Sequence, residues 1–183
     1  AADGNAGMAA VVTHISAATA SLVWMIMDWS KFGKPTLIGL VTGTIAGLAS
    51  ITPASGSVGP IGALIIGASA GFVCYLFVNV VKNKFKIDDS LDVFAVHGVG
   101  GLIGILLVAF LVDSNFGGAG YADGLNAISQ LLIQLKGTFA VLVLSVVASI
   151  IITYVVKYTV GLRVDESSEV EGLDISSHGE TNS

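Results

Sequence analysis

Few side chains in this sequence could do chemistry, and one of them stands where ionisable groups are rare. His97 lies inside the apolar run of DDSLDVFAVHGVGGLIG, Asp88 to Gly104. A titratable residue at bilayer depth is costly enough to mark a functional position by default. An imidazole offers one hydrogen-bond donor and one acceptor, so a pore group contacting a small polar permeant is one reading of His97. The plainer reading is a histidine bonded to a neighbouring helix for packing. Gly98, Gly100, Gly101 and Gly104 leave room around it for other backbones to approach. Asp92, five residues before His97, reads as a cap that fixes the adjoining loop rather than as a contact for the permeant. His14 shares an apolar run with Thr13, Ser16, Thr19 and Ser21, whose hydroxyls can bond back to their own helix; it reads as structural. His178, in a hydrophilic tail, reads as solvated. Three scattered histidines without ligand spacing make no zinc signature. The single Cys74 excludes an intrachain disulfide and a cysteine metal cluster. HGVGG lacks the strand, tight turn and spacing of a dinucleotide fingerprint. No nucleophile, base and oxyanion donors gather in any one block, so neither an enzyme nor a cofactor or metal is expected.

The elements that hold these residues are apolar. Of 183 residues, 54% are hydrophobic and 11% charged, against roughly 25% charged in a soluble domain, and the mean hydropathy is +0.86. The charged residues avoid the apolar runs and crowd their borders, which predicts an all-α, polytopic membrane protein. A span takes about 20 helical residues, and five runs qualify or nearly do, at about 8–27, 36–51, 58–81, 91–112 and 137–156. Asp28 and Trp29 mark the interfacial end of the first, Pro35 opens the second, and Ser90 is the expected N-cap of the fourth, with Asp88 and Asp89 near its positive end. Gly39, Gly43 and Gly47 recur every four residues, and Ala63, Gly67 and Gly71 do likewise; both repeats predict packing seams. Residues 1–162 then form the membrane domain and 163–183 a polar tail. The opening AADGNAGMAA lacks the basic region of a signal peptide; it reads as a processed end or as a cut point within a longer protein. The net charge of −5 sits mostly in the acidic tail, and no basic patch suggests nucleic acid.

Charge also orients the spans. Lys31, Lys34, Lys82, Lys84, Lys86, Lys157 and Arg163 fall on one side of a five-span arrangement, and only Lys136 falls opposite. The basic loops and the C terminus are therefore expected in the cytoplasm and residue 1 outside.

Four blocks then carry a family resemblance. AGMAAVVTHISAATASLVWMIMDW, TPASGSVGPIGALIIGASAG, DDSLDVFAVHGVGGLIG and GLRVDESSEVEGLDISSHGE together resemble the ammonium transporter family (Amt/Mep/Rh), on its Amt branch, across practically the whole chain. The resemblance implies an eleven-span fold of two inverted halves around a narrow hydrophobic channel in each subunit of a homotrimer, in the cell membrane. This chain resembles the C-terminal part: the last five spans and the cytoplasmic tail. It implies ammonium or ammonia as the permeant, with His97 at the second pore histidine. The first pore histidine would lie upstream of residue 1, in the missing N-terminal half, and His14 does not match it. Asp92 matches the acidic position at the cytoplasmic start of the histidine-bearing span, and Gly98 and Gly101 belong to its HGVGG. Arg163 and Asp174 match the tail pattern, as do Gly161, Glu171, Gly172 and Gly179. In the family that tail packs on the cytoplasmic face, where a PII signalling protein blocks many members. The tail ends soon after HGE, which argues against an extra regulatory domain. The alternative function is a non-conducting structural or regulatory membrane module derived from the same fold.

Overall fold

In a computed structural model, residues 2–180 are described. They form helices and connecting turns, with no strand among the described residues. Seven α-helices follow one another: α1 Gly4–Phe32, α2 Leu37–Ile51, α3 Pro60–Asn79, α4 Gly100–Leu111, α5 Ala127–Thr159, α6 Glu166–Glu171 and α7 Leu173–His178. Two π-helical segments were not foreseen from the sequence. One, Val80–Lys84, prolongs α3, and the other, Phe94–Val99, leads into α4.

Four helical stretches are long and apolar enough to cross a membrane: Gly4–Phe32, Pro60–Lys84, Phe94–Leu111 and Ala127–Thr159. The fifth expected span, Leu37–Ile51, is shorter at 15 residues, about 22 Å of helix. By internal contacts the chain divides into two compact units between Thr138 and Phe139, within α5, and α5 has no buried residue.

In the first unit the helices alternate in direction, and the glycines reveal it. Positions 39, 43 and 47 of α2 lie successively against Asp28, Trp24 and Ser16 of α1. A Cβ at Gly43 would stand 2.6 Å from Trp24 Cβ, and one at Gly47 would stand 2.5 Å from the Ser16 carbonyl oxygen. The two helices are therefore antiparallel and touch backbone to backbone, as small residues permit. Gly67 meets Ser16 and Gly71 meets Ala20, so α3 runs parallel to α1. Both four-residue repeats are packing seams, and α1 is held between them. Hydroxyls bind the layers further: Ser16 Oγ donates to the Gly47 carbonyl (2.9 Å) and Ser21 Oγ to that of Leu40 (3.0 Å). Thr13 and Thr19 instead bond back within α1.

The core has two parts. Val12, Ile51, Val58, Ile66, Val108 and Leu111 cluster with Ala54 and Ala63. Trp24, Ala46, Cys74, Tyr75 and Val96 form the other cluster, with Trp24 edge-on to Tyr75 at 5.2 Å between centroids.

The α1–α2 turn is set by its own residues. Gly33 ends α1 in the left-handed region (φ 72°) and returns its amide to the Trp29 carbonyl. Thr36 caps α2 by accepting the Gly39 amide, and its hydroxyl donates to Asp28 (2.6 Å). Asp28 does not end the helix: α1 continues to Phe32, and the Asp28 side chain is buried and bonded.

Lys31 Nζ donates to Asn79 Oδ1 (3.1 Å), which brings the basic ends of α1 and α3 together. At the other end Ala119 donates its amide to the Ser57 carbonyl (2.9 Å). The α2–α3 and α4–α5 connections therefore share that end.

In the second unit, Asp165 caps α6. It accepts the amide and hydroxyl of Ser168 and the hydroxyl of Ser167, and these bonds, that of Ser167 foremost, hold its carboxyl at about 2. Gly172 (φ 98°) separates α6 from α7 in backbone space that an L side chain rarely adopts.

Candidate functional site

The approach to His97 begins with a cap, and the residue that makes it is Asp89. Its two carboxylate oxygens accept the amides of Val93 and Phe94, each at 2.9 Å. Ser90, the expected cap, donates its hydroxyl to Asp88 at 3.3 Å instead. Asp92 does not cap either. It holds a left-handed backbone (φ 57°), unusual for a residue with a side chain, and its carboxylate meets Lys82 Nζ at 2.8 Å. Lys82 lies in the π-helical extension of α3, so this pair ties the end of α3 to the entry of the histidine-bearing helix.

His97 itself sits in the π-helical turn Phe94–Val99. Such turns recur at functional sites, because the extra residue per turn re-aims a side chain and loosens the hydrogen-bond ladder. The imidazole is exposed. It lines a cavity of about 510 Å³ whose other walls include Leu37, Ile38, Val41, Thr42 and Ile45 of α2 and Asp92, Val93 and Val96 beside it. The result is one histidine and one carboxylate on a mainly apolar wall, with the hydroxyls of Thr42 and Ser90. A neutral polar solute would find a bonding partner there and little else polar.

The glycines of HGVGG divide between two faces. A Cβ at Gly100 would stand 2.9 Å from Ser50 Oγ and 3.3 Å from Cys74 Sγ, and one at Gly104 would collide with the Ser50 carbonyl oxygen. These two let α4 press against α2 and α3. A Cβ at Gly101 meets nothing within 4 Å, and one at Gly98 meets only Phe94 of its own turn, at 3.5 Å. Room for neighbouring backbones is thus used at Gly100 and Gly104, while Gly98 and Gly101 look outward on the other side.

Elsewhere, His14 lies exposed on α1, outside the residues lining the cavity at His97. In the tail, Arg163 closes on Glu169 with two parallel hydrogen bonds (2.8 and 2.9 Å). Asp174 contributes a backbone carbonyl to the turn after α7, accepting the Glu180 amide (2.8 Å). His178 is exposed in the last turn of α7. Thr42 and the α2 wall were not singled out from the sequence, and Lys82 and Asp89 were named there only for their charge. Only the acidic run before the helix hinted at Asp89, and nothing in the spacing pairs Lys82 with Asp92.

These features define a polytopic helical membrane protein with glycine-seamed packing and one histidine on an apolar cavity. The profile of the Ammonium Transporter Family matches residues 1–183, and the chain belongs to that family. It is 45% identical over 96% of its length to an ammonium transporter of Aquifex aeolicus, covering 41% of that protein. It is 46% identical over 94% of its length to the ammonium transporter Amt1 of Archaeoglobus fulgidus, covering 43% of it. Among solved structures, a sensor Amt protein superposes with a TM-score of 0.84 at 29% identity, over 96% of this chain and 42% of that one. Saccharomyces cerevisiae Mep2 gives 0.76 at 33% identity, over 91% and 43%. The chain therefore spans about two fifths of the length of these relatives.

Proposed function

We propose that this chain is the C-terminal part of an ammonium transporter and that its first unit walls a narrow hydrophobic pore at His97. The observation that carries the reading is the exposed imidazole on a mainly apolar wall, in a chain that matches the family along its whole length. A bare ammonium ion in such a channel faces a large desolvation cost. A neutral ammonia molecule bonded to imidazole avoids most of it, with the proton carried separately. His97 positions the permeant and hands the proton to a partner imidazole upstream of residue 1.

Asp92 organises the pore exit. Gly98 and Gly101, open on their outward side, accept the half of the protein that precedes this chain. Residues 1–162 form the membrane domain, in the cell membrane as part of a homotrimer. The end bearing Lys31 and Lys82 faces the cytoplasm, as does the tail 163–183. There Arg163 and Asp174 shape the surface offered to the bundle or to a PII-type partner.

The test is His97→Ala in the full-length protein, reconstituted in proteoliposomes at matched amounts. Trimer assembly should persist, and electrogenic ammonium transport should fall sharply. Unchanged current and unchanged uptake would refute the pore role and leave His97 as a packing residue.

A further inference from the structure

Lys82 and Asp92 form the only ion pair in the first unit among the described residues, and Asp92 lines the His97 cavity. Asp89 takes both amides at the start of the π-helical turn, so the Asp92 carboxylate is released from capping. Its left-handed backbone turns the residue out of the helical path. The side chain is 15% exposed, lines the same cavity as His97, and meets a lysine that is 39% exposed. Beyond Asp92 and His97 the lining offers no other ionisable group, only apolar residues and the hydroxyls of Thr42 and Ser90. An unpaired carboxylate at the mouth of such a cavity would hold any small cation that arrived there. A lysine alone would repel it.

We infer that Lys82 and Asp92 form a charge-balanced exit for the His97 cavity: Lys82 offsets the Asp92 carboxylate so that the ammonium formed where ammonia and its proton rejoin is neither trapped nor turned back. This rests on the pore reading above, and it adds Lys82 as a residue that tunes release without touching the permeant. Neutralising one partner exposes the charge of the other, so the two single variants must act in opposite directions. A purely structural pair would instead lose function in the same direction whichever partner was removed.

The experiment uses the full-length protein in oriented proteoliposomes, with ammonium chloride supplied from the side that bears Lys82. Lys82→Gln should lower the half-saturating concentration and the maximal current, each roughly two- to five-fold, the scale of a part-exposed ion pair. Asp92→Asn, which keeps a residue that tolerates left-handed backbone, should raise the half-saturating concentration by a similar factor. The double variant should return close to wild type, Lys82→Arg should stay there, and all shifts should shrink as ionic strength rises. Shifts of the same sign in both single variants, or no shift in Lys82→Gln, would overturn the inference. His97→Ala, measured alongside, separates the two failures: if it abolishes current while the single variants shift together, only the charge-balanced exit falls. If it leaves current intact, the pore reading itself has failed.

Discussion

Alanine at Gly104 and alanine at Gly101 make the same chemical change three residues apart, and the two should have opposite consequences. At Gly104 the new methyl group would fall on the Ser50 carbonyl oxygen, 2.9 Å from the carbonyl carbon and 3.0 Å from Pro53 Cγ. A backbone carbonyl inside a helix cannot rotate aside, so α4 must withdraw from α2. Overpacking of this kind costs about 1–3 kcal/mol, and the retreat also loosens the contacts of Val108 and Leu111 in the core. At Gly101 the methyl group meets nothing within 4 Å, and replacing glycine by alanine in a helix gains about 1 kcal/mol. Both substitutions share that gain, so the two variants should differ by the overpacking cost alone, about 1–3 kcal/mol. Melting of the purified protein in detergent, followed by fluorescence of Trp24 against Tyr75, measures the gap. For a chain of this size 1 kcal/mol moves the midpoint by about 2–4 °C. Gly104→Ala should melt clearly below Gly101→Ala, which should melt at or above wild type. Equal midpoints in the two would refute the claim that only one face of this helix is a seam.

Asp89→Ala removes the acceptor of two amides and should cost about 1–2 kcal/mol. Faster hydrogen exchange at Val93 and Phe94, with unchanged exchange in α1, is the expected readout. The Asp165 carboxyl, held at about 2 against an ordinary 3.8, contributes its full stabilisation of α6 above about pH 4, and loses it as pH falls toward 2. Exchange at the Ser168 amide should therefore accelerate below pH 4, and a flat profile would count against the cap. Cysteines placed at Lys84 and Ala119 in a Cys74-free background should label from opposite sides of the membrane; labelling from one side would contradict the alternating helices.

What was legible in the sequence followed periodicity. The four-residue glycine repeats of α2 and α3 announced their seams, because side-chain spacing on a helix maps directly onto a face. The same logic failed in HGVGG, where glycine density cannot say which face meets a neighbour and a π-helical turn shifts the phase of the faces. The DDSLD run offered several capping groups within five residues. Only the three-dimensional turn selects Asp89 for the amides and leaves Asp92 to Lys82. In the tail, the Asp165 cap and the partnership of Arg163 with Glu169 depend on how α6 folds back on the segment before it. The cavity wall was invisible for a different reason. Leu37, Val41 and Ile45 are ordinary apolar helix residues until α2 is set beside His97.

The close approach of α4 to α2 also implies an order of assembly. The groove that receives Gly100 and Gly104 is made of Ala46, Ser50 and Pro53 from α2 and its following turn, with Cys74 of α3 closing it. None of these surfaces is in position until α2 has folded back along α1 and α3 has come up beside them. The first hairpin closes through a short turn and neighbouring residues, so it forms early and locally. The histidine-bearing helix, by contrast, docks onto a template that must already exist. A defect in α1, far along the chain from His97, would then reach the His97 cavity by delaying the construction of its seat rather than by touching it.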